Sequence, residues 1–444
     1  MEYLTGVKPK ETKEISELLE QTEAGTKVKV NGAVHTIRDM GTVAFVILRK
    51  REGLLQCVYE EGSADFELKD IKEAATVEVE GVLEENEKAP NGIEIRMESV
   101  KILSEPEDEM MPLAISKWKL NTSLEAKLTY RSISLRNIRE RAKFRIQEGL
   151  TRAFRDFLYS QEFTEIHTPK IGAKGAEGGA NIFKLEYFHR PAILQQSPQF
   201  YKQMMVGVFE RVYEIAPVFR AEKHDTARHL NEYTSVDFEI GYIENFEDIM
   251  AMEQEMLRYT FGRLQETCGA ELSLLKAEVP VITEIPRIRF SEAKELVSRV
   301  YKRAFSEKLD FEPEEEKLLC EYVKKTTGSD FVFVTHYPSA KRPFYAMDSR
   351  ENPAVTESFD LLFRGLEVTT GGQRIHNYRE QVEKIESRGM HVEAFESYLM
   401  MHRCGMPPHG GLGFGLERFT ARLLGFENVR NASLFPRDIH RLIP

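Results

Sequence analysis

The stretch FRAEKHDTARHLNEYTSVDFE, residues 219–239, places two Arg, one Lys, two His and five acidic residues between two strand-like runs. The run before it, RVYEIAPVF, is mostly apolar, and the run at its end, VDFEIGYI, alternates apolar and polar residues. This pattern predicts a β-hairpin with a loop at about residues 223–230. Because side chains alternate along a strand, one face is apolar and the other polar. The apolar face carries Val236, Phe238, Ile240 and Tyr242, and the polar face carries Tyr233, Ser235, Asp237 and Glu239.

The polar face of this hairpin has two interpretations. A solvated outer face is common in antiparallel sheets, but such faces favour Lys, Glu and Thr. Here the face combines acids with an aromatic ring, and the first strand and the loop add Arg220, Glu222, Arg228 and His229. A sheet face that binds an anionic, aromatic ligand needs such a combination of charged and aromatic side chains, so we treat the hairpin as a candidate site.

The composition of the 444-residue chain is that of a globular protein with more than one domain. The sequence has no apolar run near 18 residues and its N-terminus lacks a secretory signal, so we expect a cytoplasmic protein with no membrane partner. Cys57, Cys268, Cys320 and Cys404 lack metal-ligand spacing, which predicts free thiols. The net charge of −11 argues against a nucleic-acid partner unless local features support one.

The N-terminal region reads as a small β-barrel. After a short helix at residues 13–21, five strands are predicted between residues 26 and 104, with a helix at residues 64–75 after the third. That order is typical of an OB-fold barrel, which binds oligonucleotides in some proteins and serves as a structural module in others. We therefore predict a barrel domain at residues 1–104, a hinge at 105–125 and a large domain at 126–444.

Three further segments of the large domain carry candidate site residues. In GGLGFGLERF, residues 410–419, glycine at alternate positions leaves one strand face bare, and Arg418 falls in the first turn of the next helix, where anions bind. In SFDLLFRGLEVTTGGQRIH, residues 358–376, a hairpin brings Asp360 and Glu367 within reach of one Mg²⁺, although an exposed acid pair is the simpler interpretation. In QQSPQFYKQ, residues 195–203, Lys202 follows a strand end, although a surface lysine at a helix start is the simpler interpretation of this segment alone.

Together these segments resemble the motifs of class II aminoacyl-tRNA synthetases, in the same order along the chain. FTEIHTPKI, residues 163–171, resembles the family's first motif, which lies at a homodimer interface, and residues 219–239 and 411–419 resemble the second and third. The N-terminal barrel is similar to that of subclass IIb. Within it, SVDFE, FDLLFRG, GGQRIH and the ending LFPRDIHRLIP look like short, archaeal-type aspartyl-tRNA synthetases. The resemblance implies an α+β chain: an OB-fold anticodon-binding barrel, then a catalytic domain whose mostly antiparallel sheet is flanked by helices.

The resemblance implies a two-step reaction, in which aspartate and ATP give aspartyl-adenylate and the aspartyl group then passes to the tRNA 3′ end. Arg220 and Arg418 are the implied catalytic residues. The implied ATP-binding residues are Arg220, Glu222, Arg228, His229, Leu230, Tyr233, Glu367, Gly415 and Arg418. The implied Mg²⁺ ligands are Asp360 and Glu367, with Thr370 near them. The implied amino-acid-binding residues are Glu177, Gln199, Lys202, Asp237 and Arg374. No role is assigned to residues 270–345.

The implied RNA partners are tRNA-Asp and, through relaxed specificity, tRNA-Asn. Phe45 lies on the strand where the family stacks an anticodon base, although the barrel core is an alternative place for this ring. His35 and Pro90 fall where the relaxed enzymes of the family carry His and Pro. The anticodon set is therefore His35, Arg38, Phe45, Arg49, Gln56 and Pro90. Two rivals remain: an asparaginyl- or lysyl-tRNA synthetase, and a catalytically silent paralogue that binds RNA.

Overall fold

The structure is a computed structural model that describes residues 10–108, 110–173, 181–223 and 226–443. Two compact units divide the chain, residues 1–141 and 142–444. The predicted domain boundaries at residues 104 and 126 stay a prediction, since the contacts group residues 105–141 with the first unit.

The first unit contains a closed five-stranded barrel in its described part. Helix α1 (Ile15–Gln21) precedes it. The strands are β1 (Lys27–Asp39), β2 (Val43–Arg49), β3 (Leu54–Glu60), β4 (Thr76–Glu85) and β5 (Ile93–Ser104). Their order in the barrel is β1-β2-β3-β5-β4, and of the pairs that these five described strands form, only β3–β5 is parallel. Alternate side chains such as Val46, Leu48 and Val79 fill the interior, so the predicted OB-fold barrel is confirmed.

The predicted helix at residues 64–75 is wrong. The structure has a single 3₁₀ turn there, Leu68–Asp70. Phe66 and Leu68 both pack against the barrel core. Residues two apart point to nearly opposite sides of an α-helix, so an extended segment with a short turn buries both where a helix could not.

Three helices follow the barrel: α2 (Leu124–Thr129), α3 (Arg131–Ser134) and the long α4 (Ile138–Ser160). Ser123 caps α2 by accepting a hydrogen bond from the amide of Ala126 at 3.2 Å. Asn137 precedes α4, and its Oδ1 accepts from the amides of Arg139 and Glu140 at 3.0 and 3.3 Å, which is the geometry of a helix N-cap. The helix predicted for residues 139–161 is therefore confirmed.

The second unit is built on a mixed sheet that has eight strands in the described part of the chain. Its strands in chain order are β6 (Thr164–Glu165), β10 (Arg211–Phe219), β11 (Glu232–Gly241), β12 (Arg287–Arg289), β13 (Phe331–Thr335), β14 (Ser358–Phe363), β15 (Leu366–Gln373) and β16 (His409–Gly415). The spatial order is β12-β13-β14-β15-β16-β11-β10-β6, antiparallel except at its two ends. A small separate sheet contains β7 (Ile171–Gly172), β8 (Lys184–Tyr187) and β9 (Arg190–Leu194).

Helices cover this sheet, and one of its faces holds the main core. They are α5 (Gln199–Phe209), α6 (Glu247–Thr267), α7 (Gly269–Leu275), α8 (Phe290–Tyr301), α9 (Pro313–Thr327), α10 (Tyr378–Ser387), α11 (Glu396–Cys404) and α12 (Leu416–Leu423). Side chains from α4, α6 and α12 pack on Val236, Phe238 and Ile240 of β11. These are the residues assigned to the apolar face, whereas Tyr242 lies beyond the strand and is exposed. The opposite, polar face is left for the site.

Two further expectations concern the whole chain. All four cysteines are free thiols, as predicted. No helix in the described ranges combines the length and the apolar composition that crossing a bilayer requires.

Candidate active site

A cavity of about 350 Å³ lies on the polar face of the large sheet. Every predicted catalytic, ATP-binding, amino-acid-binding and metal-binding residue except Glu177 lines it. Glu177 lies outside the described residues. The strand register explains this convergence, since Ser235 pairs with Gly415, Asp237 with Gly413 and Asp360 with Thr370 across neighbouring strands. The individual roles of these residues stay predictions.

Lys202 and Asp237 form a buried ion pair at one end of the cavity. Lys202 lies in the first turn of α5 and is 1% exposed, so the prediction of a functional rather than a surface lysine agrees with its position. Its Nζ donates to Asp237 Oδ1 at 2.9 Å and to the carbonyl of Leu412 at 2.7 Å. The hydroxyl of Ser235 donates to the other oxygen of Asp237. Asp237 thus orients Lys202 toward the cavity.

Glu239 links this lysine to Arg374, a contact that the sequence did not reveal. Arg374 Nε donates to Glu239 Oε1 at 2.8 Å, and Lys202 Nζ lies 3.4 Å from Glu239 Oε2. Burial opposes the charged form of Glu239, but Arg374 and Lys202 hold its pKa below the usual value. Glu239 shares the polar face of β11 with Asp237, which was the available signal, but strand alternation alone could not identify its partner Arg374, which directly follows β15.

The glycines of β16 make room for these acids. A Cβ at Gly413 would lie 2.7 Å from Asp237 Oδ1, and a Cβ at Gly411 would lie 2.2 Å from Glu239 Oε2. Such separations are far inside van der Waals contact, so the bare strand face admits the two carboxylates. At Gly415 a Cβ would meet the ring of Tyr233 only at 3.7 Å. The bare strand face therefore contributes to both ends of the cavity.

Arg220, Glu222, Tyr233 and His229 form the next part of the cavity. The guanidinium of Arg220 lies 5.6 Å from the centre of the Tyr233 ring and 4.0 Å from Glu222 Oε1. His229 Nε2 lies 3.5 Å from Glu222 Oε2, and its Nδ1 is 2.6 Å from the hydroxyl of Thr226. Asn231, which the sequence analysis missed, fixes this loop by donating from Nδ2 to the carbonyls of Arg220 and Glu222.

Residues 270–345, which received no role from the sequence, contribute to the site. Arg228 Nη2 donates to both carboxylate oxygens of Glu316 on α9, at 2.7 and 2.5 Å, and Glu316 Oε2 also accepts from the amide of Glu367 at 2.9 Å. Burial raises the pKa of Glu316, against the effect of Arg228. Lys341 and Asp310 also line the cavity and pair with each other at 2.7 Å. This segment therefore positions the hairpin loop and β15.

Arg418 and Glu417 follow the glycine strand at the start of α12. Arg418 Nη1 lies 3.9 Å from Glu367 Oε1 and donates to the carbonyl of Glu367 at 3.4 Å. Glu417 accepts from the amide of Thr234 with both oxygens, at 3.1 and 3.0 Å, and burial raises its pKa to about 7. The first turn of α12 is therefore tied to both strands that carry the cavity.

Asp360, Glu367 and Thr370 lie together on the β14–β15 hairpin, which turns at Arg364 and Gly365 as predicted. Thr370 Oγ1 donates to Glu367 Oε1 at 3.1 Å. Arg342, another missed residue, donates to Asp360 Oδ1 at 2.7 Å. Burial, together with Glu367, raises the pKa of Asp360 to about 6, against Arg342. Among the described residues, no group of three or more His, Cys, Asp and Glu side chains could hold a metal ion without other ligands.

These three residues fit a cation that completes its coordination elsewhere. Mg²⁺ in nucleotide sites typically takes one or two protein carboxylates together with substrate phosphates. The buried carboxylate of Asp360, the partly exposed carboxylate of Glu367 and the hydroxyl of Thr370 face a cavity lined by arginines and supply that donor set. Asp360 is buried and accepts from Arg342, whereas Glu367 and Thr370 are partly exposed and are therefore more accessible from the cavity.

The barrel presents a second candidate surface, on its outside. Phe45 faces away from the core and is absent from the barrel's core cluster, so the alternative of a core ring is excluded. Arg38 pairs with Phe45 across β1 and β2, and Gln56 pairs with Ile47 across β2 and β3, so these side chains share one outer face with Arg49. Gln56 Nε2 donates to Glu94 Oε2 at 2.7 Å, which adds a carboxylate that the sequence did not indicate.

His35 and Pro90 differ in exposure. His35 lies at a register shift of β1 and is 3% exposed. Burial lowers its pKa to about 4, with Arg49 acting in the same direction, so the ring is neutral at pH 7. Pro90 begins an exposed 3₁₀ turn between β4 and β5. The part of these residues in tRNA selection stays a prediction.

Comparisons with known proteins agree with this geometry. Residues 123–439 match the family model of tRNA synthetases class II (D, K and N), and residues 28–103 match that of the OB-fold nucleic acid binding domain. The chain therefore belongs to the class II tRNA synthetases of the D, K and N group. It is 48% identical to the aspartate–tRNA(Asp/Asn) ligase of Deinococcus radiodurans, over 95% of this chain and 96% of that one. Within its class it is a member of the aspartate–tRNA ligase family.

Two further similarities support that assignment. The chain is 45% identical to the aspartate–tRNA(Asp/Asn) ligase of Thermus thermophilus, over 96% of this chain and 98% of that one. The structure of asparaginyl-tRNA synthetase from Pyrococcus horikoshii with asparaginyl-adenylate superimposes with a TM-score of 0.85, at 29% identity, over 95% of this chain and 97% of that one. The asparagine enzyme is thus more distant in sequence.

Proposed function

We propose that the protein is a cytoplasmic ligase that activates L-aspartate with ATP and transfers the aspartyl group to tRNA-Asp and tRNA-Asn. The observation that carries this proposal is the buried network of Lys202, Asp237, Glu239 and Arg374 at one end of a cavity whose other end is rich in arginine. The first end suits an amino acid with a charged side chain. The second suits the phosphates of a nucleotide.

Activation requires a carboxylate to attack an anionic phosphate. An α-carboxylate oxygen of aspartate forms a bond to the α-phosphorus of ATP, the bond to the bridging oxygen breaks, and pyrophosphate leaves with the electron pair. At about 4 Å the two negative charges repel by about 4 kcal/mol at an effective dielectric constant near 20. Arg220 is placed to contact both groups, while Arg418, His229 and Arg228 bind the outer phosphates. Preorganised cations of this kind stabilise the charge that develops at phosphorus.

Each remaining part of the site has a proposed partner. Adenine stacks on Tyr233, opposite Arg418, and Glu222 contacts its edge. Mg²⁺, held by Glu367 and Thr370 with Asp360, would neutralise phosphate charge when bound. The α-amino group of aspartate is addressed by Gln199 and Glu177. In the second step a hydroxyl at the tRNA 3′ end attacks the carbonyl carbon of the adenylate, and AMP leaves.

Lys202 and Arg374 select aspartate over asparagine. Both present only N–H donors, and a side-chain carboxylate accepts at both oxygens. The amide of asparagine would place its own NH₂ against these donors, which leaves polar groups unpaired in a buried site. Leaving one group of a buried charged contact without its partner weakens binding by about 2–5 kcal/mol. A separate editing domain is therefore unnecessary for this choice.

For the RNA, the outer barrel face with Phe45, Arg38, Arg49 and Gln56 is the proposed anticodon site. Stacking on an aromatic ring contributes roughly 1–3 kcal/mol per base and needs no net positive charge. This reconciles an acidic chain with RNA binding. The relaxed choice of tRNA rests on His35 and Pro90 and on the two relatives named for both tRNAs.

We also propose that the enzyme works as a homodimer through the segment at residues 163–171. Tyr159, shortly before this segment, and Ile171, its last residue, are 80% and 45% exposed. Exposed large apolar side chains near one another often mark an interaction surface. Sedimentation velocity tests this part, since a monomer at micromolar concentration would contradict it.

The test of function is charging of purified tRNA-Asp and tRNA-Asn transcripts with radiolabelled aspartate, beside aspartate-dependent ATP–pyrophosphate exchange. We expect exchange with aspartate, none with asparagine or lysine, and charging of both tRNAs. Charging of tRNA-Asp alone would establish a strict enzyme. Exchange with asparagine or lysine in place of aspartate would support the first rival, and neither activity would support the silent paralogue.

A further inference from the structure

The single tryptophan of the chain, Trp118, is 62% exposed. Lys117 and Lys119 on either side of it are exposed as well. The guanidinium of Arg139 lies 5.0 Å from the centre of the indole ring. We call Lys117, Trp118, Lys119 and Arg139 the Trp118 patch. It belongs to neither the cavity nor the outer barrel face described above.

The Trp118 patch is held in a fixed conformation by one buried side chain. Asn137, which is 1% exposed, donates from Nδ2 to the carbonyls of Ile115 and Lys117 at 2.8 and 2.7 Å. The same Asn caps α4, the helix that carries Arg139. The loop with Trp118 and the helix with Arg139 are therefore fixed to each other through Asn137. Ile115 and Leu120, which are both buried, anchor the two ends of the loop.

Packing does not account for the tryptophan. Ile115 and Leu120 already supply the apolar anchors of the loop, and most of the indole surface faces solvent. A cation–π contact at an exposed site stabilises a fold only weakly. An exposed aromatic ring on a rigid loop, flanked by cations, instead has the features of surfaces that stack on a nucleic acid base.

The charge around the Trp118 patch also favours an anionic partner. Residues 114–141 contain seven Lys and Arg against two Glu, in a chain whose net charge is −11. Glu140 pairs with Lys127 at 2.9 Å and Arg131 is buried, which leaves five Lys and Arg against Glu125. This local excess of positive charge contrasts with the acidic barrel that precedes it in the sequence.

We infer that the Trp118 patch binds tRNA outside the anticodon loop. Trp118 stacks on an unpaired nucleotide with the ring face that Arg139 does not cover, and Lys117 and Lys119 contact the flanking phosphates. The inference rests on the proposed function, because it takes tRNA as the RNA that the protein binds. It adds a contact between the two ends of the tRNA, its anticodon and its 3′ end, which the barrel face and the cavity are proposed to hold.

Trp118 can report on its own binding, because the protein has no other tryptophan. The experiment titrates the full-length protein with tRNA-Asp transcript while following tryptophan fluorescence and its quenching by acrylamide. We expect full-length tRNA to quench the emission and to protect the ring from acrylamide. A hairpin containing only the anticodon stem and loop should do neither, although it binds the barrel.

Variants then test how much the Trp118 patch contributes to the affinity for tRNA. Trp118→Ala should weaken tRNA binding by about tenfold, as loss of one stacked base predicts, while Trp118→Phe retains most of the affinity. Lys117→Ala/Lys119→Ala should lower the slope of log affinity against log salt concentration by about two. Lys317→Ala/Lys325→Ala removes the same charge from two exposed positions of α9. This variant should leave the tRNA affinity and its salt dependence unchanged.

Each outcome decides the inference. If tRNA changes neither emission nor quenching, the Trp118 patch does not contact it. If Trp118 is already protected in the free protein and Trp118→Ala alters the sedimentation coefficient, the patch contacts a second copy of the chain instead. Aspartate-dependent ATP–pyrophosphate exchange needs no tRNA. If the unmodified protein shows no such exchange, the proposed function is contradicted, and the fluorescence titration still tests tRNA binding by the Trp118 patch independently.

Discussion

At the scale of single residues, the amino-acid end of the cavity is a balance of four buried charges. Lys202 and Arg374 are the cations, and Asp237 and Glu239 are the anions. Each cation donates to a backbone carbonyl as well, Lys202 to Leu412 and Arg374 to Gly411. A buried pair of this kind persists only when its remaining hydrogen bonds are made. Under the proposed function, we expect the network to be preorganised for an incoming carboxylate, which would share its donors with Glu239.

Replacing Lys202 with methionine tests this arrangement. Met has a similar length and volume but no charge, so aspartate loses its partner and Asp237 loses its counter-ion. We expect aspartate-dependent pyrophosphate exchange to fall at least a hundredfold, which corresponds to about 3 kcal/mol, within the range for a broken buried charge pair. ATP affinity, measured by equilibrium binding, should change little.

A matched variant separates this role from loss of stability. Lys202→Met leaves Asp237 buried without its cation, whereas Lys202→Met/Asp237→Asn removes both charges and should recover most of the lost melting temperature. Exchange should stay low in both. Near-normal exchange with aspartate in either variant would remove Lys202 from amino-acid recognition.

The residues that the sequence identified and those it missed differ in a physical way. Asp360, Glu367, Arg418 and Lys202 lie in short motifs that resemble those of the family, and the resemblance assigned their roles. Glu316 is 88 positions from Arg228 along the chain, and Glu239 is 135 from Arg374, so only the folded chain brings them together. Long-range partners of this kind have no local pattern, which is why the second layer of the site could not be predicted.

At the scale of elements, strand alternation was the most informative signal. It assigned Val236 and Phe238 to the core and Asp237 to the site, and the β10–β11 hairpin has that arrangement. The helix prediction failed at residues 64–75, where the structure has only a short 3₁₀ turn and Phe66 packs against the barrel core. Where tertiary packing can bury the same residues in two conformations, the local pattern does not decide between them.

Strand β2 gives the prediction at this scale. Its inward residues fill the barrel core, and Phe45 points outward beside Arg38. Phe45→Ala should therefore weaken tRNA charging, with a rise in the KM for tRNA of about tenfold from the loss of one stacked base. Pyrophosphate exchange and the melting temperature should stay close to those of the unmodified protein.

The control for Phe45 is its neighbour on the same strand. Val46→Ala shortens a fully buried side chain of the barrel core and should lower stability by about 1–3 kcal/mol. If Phe45→Ala destabilised the protein as much as Val46→Ala, or reduced exchange along with charging, the outer ring would have a structural role instead of an RNA-binding one.

At the scale of the whole molecule, net charge says little about the partner. The chain has a net charge of −11, yet the cavity is lined by arginines from the hairpin loop, α12, the segment before β14 and the residue that follows β15. Several carboxyls lie buried behind or within that cavity. Burial raises the pKa of Glu253 to about 8 and that of Glu417 to about 7. These acids affect a property of the whole protein, the dependence of its stability on pH.

Glu253 is the clearest example of a buried carboxyl that makes stability depend on pH, because it lies on α6 and does not line the cavity. Its Oε1 accepts from the hydroxyl of Thr369 at 2.6 Å, which opposes the effect of burial, while Asp360 adds to it. The folded protein holds a proton on Glu253 from pH 4.5 to about 8, and the unfolded chain releases that proton near pH 4.5. Stability contributed by the protonated group is therefore lost as the pH rises through this range.

Glu253→Gln should remove this dependence, because a neutral amide has no proton to lose. We expect the free energy of unfolding of the variant, relative to the unmodified protein, to rise by about 1.4 kcal/mol per pH unit between pH 5 and pH 8. Urea unfolding at a series of pH values measures it, and the slope is diagnostic even if the amide lowers stability at every pH. Glu266→Gln, an exposed position on the same helix, should give a curve parallel to that of the unmodified protein. A parallel curve for Glu253→Gln as well would mean that Glu253 is already ionised in the folded protein at neutral pH.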